Sequence, residues 1–81
     1  MRGHYMTLCF RDNTEVTYTL CNNVLEVTFE QAVKGGFKTL VLNSDGNVIS
    51  NDGFNDSDID FFKRFLENNV SVIYADARGE L

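Results

Sequence analysis

Between Asp56 and Glu67 the apolar residues return at helical spacing, and this pattern constrains the fold more than any other stretch. Ile59, Phe61, Phe62, Phe65 and Leu66 fall on one arc of a helix, and Asp60, Lys63, Arg64 and Glu67 fall on the opposite arc. A helix with so wide an aromatic stripe must bury it against a second layer. Asp56 or Ser57 is placed to cap it, and Asn68-Asn69 reads as its end.

The second layer is β. Residues 5–21 alternate with period two: Met6, Leu8 and Phe10 on one side, then Val16, Tyr18 and Leu20. Pairing Phe10 with Val16, Leu8 with Tyr18 and Met6 with Leu20 puts every large apolar group on one face. It sets Arg11 opposite Glu15 and leaves a loop at Asp12-Asn13-Thr14. Cys9 then faces Thr17 instead of Cys21, which disfavours a disulfide within the hairpin.

Residues 23–35 read as a first helix. Asn23 and Glu26 resemble a capping pair, Leu25, Phe29, Ala32 and Val33 form a stripe, and Gly35-Gly36 is a stop signal. The competing reading continues Val24 to Phe29 as a strand, with the helix starting at Thr28. Residues 37–43 and 70–75 are nearly continuous apolar runs, which is the pattern of strands covered on both faces. Asp45-Gly46 marks a turn, and residues 47–50 return as a short strand. The expected order is ββαβ(β)αβ. This is an α+β two-layer sandwich, with a mixed four- to five-stranded sheet and two helices on one face.

At 81 residues the chain is expected to be a single domain, residues 1–81, with residues 1–4 as a flexible tail. A domain of this size hides only roughly 60% of its unfolded surface. Seven Phe and three Tyr therefore have to supply much of the core. The formal net charge is −5, which opposes contact with nucleic-acid phosphates or an anionic membrane. Two cysteines without a CxxC spacing read as free thiols of a cytoplasmic protein.

No catalytic constellation emerges. The only histidine is His4, in the expected tail, and neither GxGxxG nor GxxxxGK[ST] occurs. No cofactor is therefore expected. The carboxylates at Asp56 and Asp58 fail the EF-hand pattern, because the sixth position from Asp56 is Phe61 where a Gly is needed. No metal is expected, and the first-turn carboxylates are accounted for by the helix dipole.

The distinctive segment runs from Asn43 to Asp60. It holds Asp45, Asp52, Asp56, Asp58 and Asp60 and no basic residue. Spaced carboxylates without interleaved cations suit docking on a basic protein surface, with Phe61 at the edge of the helix stripe as a contact anchor. The expectation is a non-enzymatic protein-binding module, monomer or homodimer. It would be an inhibitor, immunity or regulatory protein of the kind phages and mobile elements encode. The alternative is a small ligand-binding or catalytic subunit. Its site would lie where Asn43, Asp45, Asp76 and Arg78 converge at the C-terminal ends of parallel strands 37–43 and 70–75.

Overall fold

The computed structural model describes residues 8–10, 14–77 and 79; the expected tail, residues 1–4, lies outside them. The elements are β1 (Leu8–Phe10), β2 (Thr14–Cys21), β3 (Val24–Val33), β4 (Gly36–Asn43), β5 (Val48–Asp52) and α1 (Asp56–Ala77). β2 to β5 form an antiparallel four-stranded meander, and the three-residue β1 pairs along the outer side of β2. α1 packs on one face. The α+β class stands. The parallel pairing and the second helix do not.

The helix expected over 23–35 is β3, the longest strand. Asn22 and Asn23 both have positive φ, 54° and 66°. That is the requirement of the primed two-residue turn that joins tightly twisted hairpin strands. Asn23 thus closes a hairpin instead of capping a helix. Leu25, Val27 and Phe29 are buried while Val24 and Glu26 are exposed, a period of two. Gly35, at φ 88°, makes the β3–β4 turn instead of stopping a helix. Val24 to Phe29 are strand, as the competing reading has them, but the strand continues to Val33 and no helix begins at Thr28.

The strand expected over 70–75 is the last third of α1. Ile73 continues the stripe of Phe62 and Leu66 and is buried with them. Asn69 does not end the helix: its Nδ2 donates to the Phe65 carbonyl oxygen one turn back, at 2.8 Å. A 22-residue helix is about 33 Å long. The molecule measures 36 × 21 × 20 Å, so α1 must run along its long axis.

The first hairpin is offset by two residues from expectation, with Leu8 opposite Val16 and Phe10 opposite Thr14. An even offset preserves the inward face of β2, where Thr14, Val16 and Tyr18 are buried. Thr14 opens β2 instead of belonging to the loop, and Arg11, Asp12 and Asn13 lie outside the described residues. Cys9 pairs with Glu15 and not with Thr17, and Cys21 pairs with Val24.

One core joins the layers. Val16, Tyr18, Leu25, Val27, Phe29, Leu40 and Leu42 from the sheet meet Phe54, Phe62, Leu66 and Ile73. Phe29 is its centre, stacked on Phe62 at 4.6 Å between centroids and edge-on to Phe65 at 6.0 Å. Ile59, Phe65, Val70 and Tyr74 pack around this centre.

The turn into α1 is built from asparagines. Asn51 Nδ2 donates to the Phe54 carbonyl oxygen, and the Phe54 N–H donates back to Asn51 Oδ1. The helix cap is Asn55 and not Asp56 or Ser57: the Asp58 N–H donates to Asn55 Oδ1 at 2.8 Å, and the Ile59 N–H to the Asn55 carbonyl. Asn55→Ala is expected to lose about 0.5–2 kcal/mol. Urea unfolding with an unchanged slope and a lower midpoint would show it.

Candidate protein-binding surface

The sheet has two unlike faces. One is covered by α1. The other carries no buried residue among those described. Because directly paired residues share a face, the strand registers assign its side chains in rows. Glu15 opposes Glu30, Glu30 opposes Thr39, and Thr39 opposes Asp52. The next row is Thr17, Thr28, Val41 and Ser50, and the one after is Thr19, Glu26 and Asn43. Strands lie about 4.8 Å apart, so Glu15, Glu30 and Asp52 are strung over roughly 14 Å.

Among the described residues this open face has four carboxylates, Glu15, Glu26, Glu30 and Asp52, and no Lys or Arg. The basic residues are elsewhere. Lys38 pairs with Gln31 on the helix side, where its Nζ sits 5.8 Å from the centre of the Phe54 ring. Lys34 is in the β3–β4 turn, and Lys63 and Arg64 are on α1.

The carboxylates singled out from sequence separate into groups. Asp52 belongs to the open face. Asp45 and Asp60 meet across a cleft of about 470 Å³ between the β4–β5 loop and α1, together with Lys63, Arg64 and Glu67. Asp60 is also 3.9 Å from Arg64, with both side chains largely in solvent, so the pair contributes little. Asp56 and Asp58 occupy the first turn of α1, where the dipole favours them. Phe61 is 37% exposed and sits edge-on to Phe62 at 5.5 Å, on the helix flank away from the open face. Among the described residues, no three His, Cys, Asp or Glu side chains are grouped as a metal ion would require.

The alternative ligand site loses its geometry. Residues 70–75 are helical, so strands 37–43 and 70–75 have no common end. Asn43 Oδ1 accepts the N–H groups of Asp45 and Asn47, which holds the β4–β5 loop closed. Asp76 is in the last turn of α1, and Arg78 lies outside the described residues.

Glu15, Glu26 and Glu30 were missed from sequence. Their signal was the alternation of Glu26 and Glu30 with Leu25, Val27 and Phe29, which at period two puts both glutamates on the solvent face. No helix among the described residues is long and apolar enough to cross a membrane. Comparison with family models, with curated proteins and with solved structures finds no match.

Proposed function

We propose that this chain is a protein-binding module, inhibitory or regulatory, that docks a basic protein partner on the open face of its sheet. The observation that carries this reading is Glu15 directly opposite Glu30, with Asp52 two strands further along the same row beyond Thr39, and no cation among the described residues of that face. Like charges facing each other across strands destabilise a sheet. A Thr–Thr or Glu–Lys pair would fold better at that position. A partner's Lys or Arg side chains neutralise the row and convert the cost into complementarity. Nucleic acid meets repulsion on the same surface. Asp45, Asp56, Asp58 and Asp60 extend the negative field around the helix side and steer encounter without forming the contact.

The test separates folding from binding. Glu30→Lys creates an opposite-charge pair with Glu15, so stability should rise by about 0.2–1 kcal/mol, or up to several degrees in Tm. Affinity for the partner purified from the native host should fall at least about tenfold, with a weaker salt dependence. A raised Tm with undiminished affinity would reject the open face as the binding surface.

A further inference from the structure

We infer that the tip of the β3–β4 hairpin is the anchor of this docking face, inserting Phe37 into an apolar pocket of the partner that is rimmed by Lys or Arg on the sheet side. This rests on the docking reading above and adds the contact that holds the partner.

The hairpin outruns its neighbours. Among the described residues β3 last meets β2 at Gln31–Thr14, and β4 last meets β5 at Thr39–Asp52. Beyond those points only Ala32–Phe37 and Val33–Gly36 pair, with each other, and every residue from Ala32 to Phe37 is exposed. The projecting end carries one large apolar side chain on each face, with the exposed Lys34 in the turn between them. Phe37 shares the open face with Glu30 and Thr39 and is 61% exposed; Val33, on the helix side, is 39% exposed. Of the large apolar side chains exposed among the described residues, Phe37 is the most exposed. Strand propensity would be met as well by Thr, which the rest of this face uses.

Charge decides the occupant. Phe37 is two residues from Thr39, roughly 7 Å along the strand, and Thr39 lies between Glu30 and Asp52. An aromatic on a two-stranded finger beside a carboxylate row fits a pocket with a basic rim: the ring fills it, and the surrounding charges pair as water leaves. A second copy of this chain would set the two rows of carboxylates against each other, so self-association is disfavoured.

The test is photo-crosslinking with benzoylphenylalanine at position 37, and at position 72 on the exposed flank of α1 as control, in native-host cells. The expected result is one discrete adduct from position 37 and none from position 72. The partner peptide in that adduct should lie in an apolar pocket flanked by Lys or Arg. Purified wild-type chain should compete the adduct away, and Phe37→Ser, which replaces an exposed side chain and should keep its Tm, should need about thirtyfold more. An adduct of twice the chain mass, equal adducts from both positions, no adduct at 37, or equal competition by Phe37→Ser would each overturn the anchor. Failure of Glu30→Lys to compete alongside full competition by Phe37→Ser would leave the acidic face standing without its anchor. The reverse pattern would leave the anchor without the acidic face.

Discussion

Phe29→Ala is expected to cost about 3–5 kcal/mol, most or all of the stability of a domain this small. Phe29 is fully buried on β3 and faces α1. Its ring stacks on Phe62 and meets Phe65 edge-on, so truncation removes two aromatic contacts and opens a void between the layers. The void cannot close cheaply. Leu40, its directly paired neighbour on β4, is itself fully buried, and the strand ladders hold the backbone in place. Thermal unfolding followed by circular dichroism should show a loss of far-UV signal near ambient temperature. A Tm within about 5 °C of wild type would mean that Phe29 is not the joint between the layers.

Ile73→Lys should unfold the chain, whereas Val72→Lys should leave stability within about 0.5 kcal/mol. The two residues are adjacent in sequence and opposite in environment. Ile73 is buried against the core, and Val72 is exposed on the helix flank. A lysine at 73 must either carry its charge into an apolar site or drag α1 off the sheet, a loss of more than about 4 kcal/mol. At 72 it meets water. The contrast also tests the helix itself, because it places Ile73 on one surface with Leu66, seven residues earlier, as two helical turns require. Equal tolerance of lysine at both positions would contradict α1 beyond Asn69.

The sequence made some of this legible and concealed the rest for physical reasons. The helix at 56–67 could be read because Ile59, Phe62 and Leu66 satisfy only a helical period. Residues 24–33 satisfy two periods at once: Leu25, Phe29, Ala32 and Val33 make a helical stripe, and Leu25, Val27 and Phe29 make a strand face. The arbiter was Asn22-Asn23, a turn signal that also resembles a cap. Residues 70–75 are rich in β-formers, Val70, Val72, Ile73 and Tyr74. Their helix penalty is only a few tenths of a kcal/mol each, and burying Ile73 alone repays about 1.5–3 kcal/mol. Packing therefore overrode propensity. The proposed docking surface could be read only once the fold was known. With β3 read as a helix, Glu26 and Glu30 could not be aligned with Glu15, and only Asp52 of that row was singled out from the sequence.

Carboxyl footprinting, by carbodiimide coupling to glycine ethyl ester and mass spectrometry, addresses the docking face most directly. The chain would be labelled alone and bound to its partner. Binding through the open sheet should shield Glu15, Glu26, Glu30 and Asp52 and leave Asp45, Asp60 and Glu67 as reactive as before. Shielding confined to Asp45, Asp60 and Glu67, with the sheet carboxylates unchanged, would place the partner on the helix side and contradict the account.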